Sequence, residues 1–223
     1  MAGRVSVTTI VIQGVNGYDV HVSDPRASVQ DYLDVVNKAI EDNQLYRGRA
    51  ERTDCRGCDL CCQERIPLTS IDVLRLKAQV APAESLTGFV RTHANVSVDG
   101  GAVDITLRLD RQGRCQFLHP DGRTCRVYTS RPLVCQSFIC CPQTKRARKL
   151  RERIVNVGED ELVRQWLLKN RQLGTQPYID RCLSAPAIDL RDWSETPFSG
   201  KTAYDEVLLR EACLPGLWKQ VFG

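Results

Sequence analysis

The sequence predicts an α+β protein in which helices and short antiparallel β-hairpins surround a cysteine-ligated metal site. Two stretches alternate apolar and polar residues on either side of glycine-containing turns, which is typical of β-hairpins. Other stretches repeat apolar residues at helical spacing behind a Ser or Thr that can cap a helix. Because these helices and hairpins are mixed along the chain, the pattern favours α+β over a regular parallel sheet.

The first predicted elements are a hairpin and a helix near the amino terminus. Residues 4–13 alternate as a strand, the stretch 14–17 is predicted as the turn, and residues 18–22 return as the second strand. Ser28 can cap a helix that runs to about Glu41.

The middle of the chain is predicted to hold two helices and a second hairpin. Thr69 or Ser70 caps a helix over 70–79, and a short helix follows from Pro82 to about residue 92. The inward face of the first of these is predicted to carry Ile71, Leu74 and Val80. Residues 95–109 alternate around a Gly-Gly turn as the second hairpin.

The carboxy-terminal half is predicted to be mainly helical. A helix capped by Thr129 or Ser130 carries Cys135, and an amphipathic helix over 160–173 ends at Gly174. The stretch 175–200 is predicted to be irregular. A final helix runs from Tyr204 to Ala212, with Pro215-Gly216 as its stop signal.

Composition sets the broad class of the protein. The chain has 223 residues, of which 42% are hydrophobic and 26% charged, with a net charge of +4. These values are typical of a globular protein with a substantial core. Three regions are predicted within one compact unit: an N-terminal hairpin–helix extension (1–48), a cysteine-cluster metal-binding core (49–145) and a C-terminal helical extension (146–223).

Cysteine usage and hydropathy predict a cytoplasmic protein. No apolar run reaches the about 18 to 20 residues of a membrane span, and the start of the chain lacks the pattern of a signal peptide. Eleven cysteines without such a signal favour a reducing compartment, where thiols bind metals or do redox chemistry. The alternative is a disulfide-linked secreted domain, which the adjacent cysteine pairs disfavour.

The run from Cys55 to Cys62 places four thiols within eight residues, which predicts a metal-ligand loop. The predicted metal ligands in the whole chain are Cys55, Cys58, Cys61, Cys62, Cys115, Cys125, Cys135, Cys140 and Cys141. Cys182 and Cys213 lie in separate segments and are expected to be core residues.

Spacing favours an iron–sulfur cluster, with a 4Fe-4S cluster expected, over zinc. A CxxCxxC loop resembles the first three positions of bacterial ferredoxins, although Cys62 departs from the fourth. A structural zinc site usually takes two separated CxxC units, and no second one follows. Zinc and non-cluster iron stay open as alternatives. S-adenosylmethionine is a further possible cofactor, but no motif for it is present, and the radical-SAM spacing occurs only in reverse.

Two other features offer weaker candidates. His119 follows Cys115 in a turn, where it is a candidate fourth ligand or proton donor, although a structural role is favoured. The basic run 145–153 lacks interleaved aromatic residues, so a solvated helix face is favoured over nucleic-acid binding.

The ordered combination Cys55-x2-Cys58-x2-Cys61-Cys62, Cys115-Gln-Phe-Leu and Cys125-Arg-Val-Tyr-Thr-Ser-Arg-Pro-Leu-Val-Cys135 resembles the YkgJ family of zinc- or iron-chelating cysteine-cluster domains. Flagellin lysine N-methylases contain a related domain. The resemblance covers about residues 55–138 and implies metal binding, with an iron–sulfur cluster, in a bacterial cytoplasm. It also implies that Tyr128 and Arg131 belong to the cofactor-binding motif.

Three functional hypotheses follow. The first is a metalloenzyme that acts on a small-molecule or peptide substrate by methyl transfer or redox chemistry. The second is a metal-binding accessory or redox-sensing protein without enzymatic activity. The third is a structural metal domain that presents the basic segment to a partner. The sequence leaves the oligomeric state open.

Overall fold

The computed structural model describes residues 3–42, 45, 58–120, 124–137 and 140–223, and it confirms the α+β class within these ranges. The strands are β1 (Val5–Ile12), β2 (Val15–Val22), β3 (Ala94–Asp99), β4 (Ala102–Leu107) and β5 (Arg181–Cys182). The helices are α1 (Val29–Glu41), α2 (Ser70–Val80), α3 (Leu86–His93), α4 (Leu133–Ser137), α5 (Lys145–Leu173), α6 (Leu209–Ala212) and α7 (Pro215–Val221).

The amino-terminal hairpin forms as predicted, but its turn lies earlier than expected. Strands β1 and β2 pair antiparallel, with Val5 opposite Val22 and Ile12 opposite Val15. The turn consists of Gln13 and Gly14, whose φ angles are 53° and 83°. Two positive φ values match the twist of a tight hairpin, so the predicted turn over 14–17 is wrong.

Gly17, which the prediction placed in the turn, lies within β2 for a different reason. A Cβ at this position would lie 2.5 Å from the carbonyl oxygen of Pro142. The segment that follows Cys141 runs alongside β2 here: the Tyr18 amide donates to the Pro142 carbonyl (3.0 Å), and the Thr144 amide donates to the Tyr18 carbonyl (3.0 Å). The hairpin therefore fixes the chain just after the Cys140-Cys141 pair.

Helices α1 and α2 begin where their caps predict. Ser28 and Thr69 each form a capping box, in which the cap side chain and an Asp three residues later bind one another's backbone amides. The predicted inward face of α2 is partly wrong. Ile71 is buried, but Leu74 and Val80 are 40% and 36% exposed, because the buried face turns toward Val73 and Leu76.

The second hairpin, β3–β4, forms around Gly100-Gly101 as predicted, and it is preceded by α3, which begins at Leu86 rather than near Pro82. The short strand β5 joins its edge in parallel, with Ser97 opposite Arg181. This strand lies in the stretch predicted as irregular, since two paired residues are too few for a sequence pattern. Cys182 is exposed there, so its predicted core position is wrong, whereas Cys213 is buried.

Helix α5 is the central element of the fold. It covers 29 residues from a Thr144 cap to a left-handed Gly174, so the predicted helix over 160–173 is only its second half. The basic run forms its first turns, where Arg146 binds Asp19 and Arg153 donates to the Ala212 carbonyl. Even this long helix is too polar to cross a membrane, and within the described ranges no other helix qualifies.

The C-terminal segment also differs from its prediction. Tyr204–Glu206 is a 3-10 turn, and α6 is a separate four-residue helix, so the expected continuous helix over 204–212 is interrupted. Pro215 begins α7 instead of ending a helix, because proline suits the first turn, where its missing N–H is not needed.

Two hydrophobic cores lie along α5. The first core joins the β1–β2 hairpin, α1, the first half of α5 and the C-terminal segment, and includes Tyr32, Leu33 and Ile154. The second core joins α2, α3, the β3–β4 hairpin and the second half of α5, and includes Phe89 and Trp166. Between the two cores, α5 lies very close to the start of α2. A Cβ on Gly158 of α5 would lie 2.6 Å from Cγ2 of Thr69, the cap of α2.

Candidate metal centre

A 3-10 turn over Leu60–Gln63 presents the second half of the cysteine run. The Cys62 amide donates to the Asp59 carbonyl at 3.0 Å, which tightens this turn. The Cys115 amide then donates to the Cys62 carbonyl at 2.7 Å. The run and the distal Cys115 are thus joined directly through their backbones.

The loop after β4 delivers Cys115 through local hydrogen bonds. The Asp110 carboxylate accepts from the backbone amides of Gln112 (2.8 Å) and Arg114 (2.9 Å), and Gly113 adopts a φ of 73°. An Asp that binds the amides of the next few residues is a common way to close such a turn. The turn reverses the chain so that Cys115 points back toward the 3-10 turn.

Cys125 and Cys135 come from the next two segments. The Arg126 amide donates to the Phe117 carbonyl (2.9 Å), which holds Cys125 beside the Cys115 segment. Cys135 lies on the short helix α4, whose first amide, that of Leu133, donates to the buried carboxylate of Asp72 at 2.8 Å.

These segments enclose a cavity of about 300 Å³. Among the described residues, seven cysteines line it: Cys58, Cys61, Cys62, Cys115, Cys125, Cys135 and Cys140. Most of the remaining wall is hydrocarbon, with Ile66, Leu107 and Phe117 among its residues. Of the described residues in the wall, Glu64 and Arg131 are the charged ones.

The structure therefore brings together seven of the nine cysteines predicted as ligands. Cys55 lies outside the described residues. Cys141 is not in the cavity wall; it is 7% exposed and packs in the first core, near Tyr18. His119 is also absent from the described wall, and its backbone amide donates to the Thr124 carbonyl.

The thiols of Cys61 and Cys62 interact with each other. The hydrogen bond between them lowers the pKa of Cys61 to about 7, with a further contribution from the charge of Arg131. The same hydrogen bond, with burial, raises the pKa of Cys62. Cys61 is thus the thiol of the pair that ionises first.

The deeper thiols resist ionisation. Burial raises the pKa of Cys115 to about 11 and that of Cys135 well above its usual value. Negative charge on Cys61 and on the other thiols of the wall raises both pKa values further. Several thiolates can therefore coexist in this cavity only if a positive charge compensates them, and a bound metal supplies such a charge.

Arg131 and Tyr128, the other predicted cofactor-binding residues, also lie in the cavity wall. The Arg131 guanidinium lies over the Tyr128 ring, 4.2 Å from its centre, and donates a hydrogen bond to Oδ1 of Asn37. Its charge acts to lower the pKa values of Cys61 and Cys125. Sequence reasoning missed Asn37, because a single Asn on the polar face of α1 carries no signal of this contact.

The donor set fits a thiolate-ligated metal. Soft sulfur ligands in an apolar cavity suit iron–sulfur clusters and zinc, and a nearby arginine offsets the charge of such a centre. In the described part of the chain, no three His, Cys, Asp or Glu side chains converge closely enough to hold a metal ion as they stand. The thiols line a shared cavity rather than a closed coordination sphere.

Comparison with known proteins points to the same segment. Residues 54–160 match the family model described as "CxxCxxCC: Putative zinc- or iron-chelating domain", which is slightly less than half of the chain. No curated protein and no solved structure matches the chain. The matched segment contains the cysteine run, the distal cysteines of the cavity and the first half of α5. This segment, the family domain, is therefore similar to the CxxCxxCC cysteine-cluster family, which confirms the resemblance predicted from the sequence.

Proposed function

We propose that the protein binds an iron–sulfur cluster of the 4Fe-4S type in the thiol-lined cavity and acts in the cytoplasm as a metalloenzyme on a small molecule or peptide. One observation carries the proposal: in the described part of the chain, seven cysteines from separate segments line a single cavity of about 300 Å³. Cavities of several hundred Å³ are typical of sites for small ligands or cofactors. A cavity wall rich in thiols offers no packing advantage over hydrocarbon.

The distribution of the thiols favours a cluster over a single zinc ion. Zinc takes four ligands at about 2.3 Å from one point, so its thiolates must crowd together. Here the cysteines come from separate segments around the wall of the cavity, and among the described residues no three of them converge closely enough to hold a single ion. A polynuclear group reaches separated thiolates more easily than one ion does.

The residues proposed to hold the cluster come from both parts of the motif. Cys58, Cys61 and Cys62 supply thiolates from the run, and Cys115, Cys125 and Cys135 supply them from the distal segments. When bound, an iron–sulfur cluster supplies electron transfer or a site for substrate binding at iron. Arg131 offsets the negative charge of the thiolates.

The test is elemental and spectroscopic analysis of the full chain isolated without oxygen. We expect the wild-type protein to contain iron and acid-labile sulfide and to show broad visible absorption. Cys61→Ala and Cys115→Ala should lose all three features. Cys182→Ala is the matched control, since Cys182 is exposed on β5 outside the cavity, and it should keep the full metal content. Stoichiometric zinc without iron would overturn the cluster, and a chain that binds neither metal would overturn the proposal.

A second candidate is a metal-delivery or redox-sensing protein. Two thiols of the wall favour it: Cys140 is exposed, and the pKa of Cys61 is lowered to about 7, so both are suited to exchange. The rate at which the loaded protein gives its metal to a chelator separates the two functions. Delivery predicts rapid transfer of the metal from the wild-type protein to the chelator, whereas an enzyme is expected to retain its metal under the same conditions.

A further inference from the structure

The segment 128–137, which carries Arg131 and Cys135, is held in place by side chains from the matched segment 54–160 together with side chains from outside it. It consists of a 3-10 turn over Tyr128–Ser130 and the five-residue helix α4. A helix this short is not stable by itself, because too few hydrogen bonds offset the cost of starting it. Its position must come from tertiary contacts.

The first contact passes through a buried carboxylate. Asp72 is 1% exposed, and its oxygens accept from the amides of Leu133 (2.8 Å) and Thr69 (2.9 Å) and from the Tyr204 hydroxyl. An unpaired carboxylate at this depth would be costly, so these donors fix its orientation. Asp72 in turn satisfies the first amide of α4, one of the groups that a helix start leaves without a partner.

Tyr204 also reaches the other end of the segment. The Arg75 guanidinium lies 5.5 Å from the centre of the Tyr204 ring and donates to the Thr129 carbonyl at 3.0 Å. The hydroxyl of Tyr204 thus acts on α4 through Asp72, while its ring supports Arg75 at the preceding turn. Tyr204 lies well beyond residue 160, where the family match ends.

The amino-terminal extension supplies a contact on the other side. Asn37 of α1 accepts a hydrogen bond from Arg131, and its own amide donates to the Leu33 carbonyl at 2.7 Å. This second bond fixes the orientation of the Asn37 side chain, so its oxygen is aimed at Arg131. Asn37 precedes residue 54, where the family match begins.

We infer that Tyr204 and Asn37 are positioning residues of the metal centre, supplied by the two extensions that flank the family domain. Tyr204 sets the position of Cys135 through Asp72, and Asn37 sets the direction of the Arg131 guanidinium. This role rests on the proposed function insofar as Cys135 is a ligand and Arg131 offsets its charge. The extensions therefore complete the site rather than merely enlarging the fold.

The test compares two tyrosine variants of the full chain. Tyr204→Phe removes the hydroxyl and keeps the ring beside Arg75. Tyr32→Phe is the matched control, because Tyr32 is fully buried in the same core but its hydroxyl lies beside Tyr18. The first readout uses metal-free protein: the rate of alkylation by iodoacetamide at each cysteine, mapped by mass spectrometry.

We expect Tyr204→Phe to raise the alkylation rate at Cys135 several-fold, with no change at Cys213 in the first core. Tyr32→Phe should leave the Cys135 rate as in the wild type. In metal-loaded protein, Tyr204→Phe should also lose metal to a chelator several-fold faster. An unchanged Cys135 rate in Tyr204→Phe, or an equal rise in Tyr32→Phe, would overturn the inference.

Asn37 is tested through the spectrum of the loaded centre. Asn37→Ala should change the electron paramagnetic resonance or visible spectrum and increase the rate of metal loss. Asn37→Asp keeps an acceptor for Arg131, so its spectrum and its rate of metal loss should stay close to those of the wild type. Equal behaviour of the two variants would contradict the role of Asn37. If the wild-type chain binds no metal, the proposed function fails, but the Cys135 alkylation rates still decide the role of Tyr204.

Discussion

The first and second cores both pack against α5, but they differ in how much of the thiol-lined cavity they border. The first core closes around fully buried aromatic and aliphatic side chains such as Tyr18, Tyr32 and Leu33. The second core is equally apolar around Phe89 and Trp166, yet its side toward the cysteine run opens into the thiol-lined cavity. The described wall of the cavity is therefore bordered mainly by the second core, with Ile40 as the member of the first core that reaches it.

This difference separates stability from function. A neutral thiol behaves as a small apolar group, so cysteines can line an interior cavity without the cost of burying charge. The cavity nevertheless forgoes the contacts that a hydrocarbon filling would make. We expect the first core to supply much of the stability that allows the second to keep this space open. The following predictions test the separation, from the largest expected effect to the smallest.

Leu33→Ala should cause the largest loss of stability. Leu33 is fully buried in the first core, and removing such a side chain typically costs about 2–5 kcal/mol of unfolding free energy. Urea denaturation measures this loss, and the metal content per folded chain should not change. Leu214→Ala, at a 58% exposed leucine, is the control and should cost under about 0.5 kcal/mol. A loss of metal in the folded fraction of Leu33→Ala would show that the cores are not separable.

Gly158→Ala should destabilise the helix contact between the two cores. The added Cβ would lie 2.6 Å from Cγ2 and 2.8 Å from Cβ of Thr69, so α5 must shift away from the start of α2. Overpacking of this kind costs about 1–3 kcal/mol, partly offset by the better helix propensity of Ala, which is worth about 1 kcal/mol. Gly216→Ala in α7 has open space around it and serves as the control. Equal stability of the two variants in thermal unfolding would contradict the close contact.

Glu159→Gln should change how stability depends on pH at the edge of the second core. Burial and the neighbouring Asp104 carboxyl raise the pKa of Glu159 from 4.5 to about 8. The folded chain thus keeps a proton that the unfolded chain releases above pH 4.5, so stability falls as pH rises through this window. Glutamine mimics the protonated acid but does not titrate. The loss of unfolding free energy between about pH 5 and 8 should therefore be smaller in Glu159→Gln than in the wild type, by on the order of 1–2 kcal/mol.

Glu161→Gln provides a control of opposite sign for the same measurement. Burial acts to raise the pKa of Glu161, but hydrogen bonds from Arg164, Ser199 and Gln165 outweigh it and lower the pKa below its usual value. The ionised form is therefore the stabilising one, and its contribution is lost as pH falls. Glu161→Gln should cost stability at pH 7, where Glu159→Gln gains it. The same sign for both variants at pH 7 would refute this account.

The smallest effect distinguishes the two adjacent cysteines. Cys140 is exposed and lines the cavity, whereas Cys141 packs in the first core. We expect Cys140→Ala to lower the metal content or its retention, and Cys141→Ala to keep the metal and cost about 1 kcal/mol through the lost buried sulfur. Metal analysis and thermal unfolding of the two variants check this. A loss of metal in Cys141→Ala would support the sequence prediction that Cys141 is a ligand.

Local signals explain why much of the fold is predictable. Capping boxes at Ser28 and Thr69 mark helix starts because an unpaired amide needs a nearby acceptor, and the alternation in residues 94–107 marks a hairpin because strand side chains alternate in direction. The failures are non-local. The outward position of Leu74 depends on which side of α2 meets its neighbours, and β5 exists only because β3 offers it an edge.

The sequence by itself determined the resemblance to the cysteine-cluster family, the concentration of thiols and most of the elements, because residue type, spacing and helix caps are encoded within a few residues of one another. Only the tertiary structure decided that Cys140 lines the cavity while Cys141 packs in the first core, since adjacent residues point in different directions. It also decided that Asn37 and Tyr204 support the segment 128–137. Asn37 lies 94 positions from Arg131, and Tyr204 lies 132 positions from Asp72. Contacts over such separations leave no pattern in the sequence, because they arise only when the two cores assemble around α5.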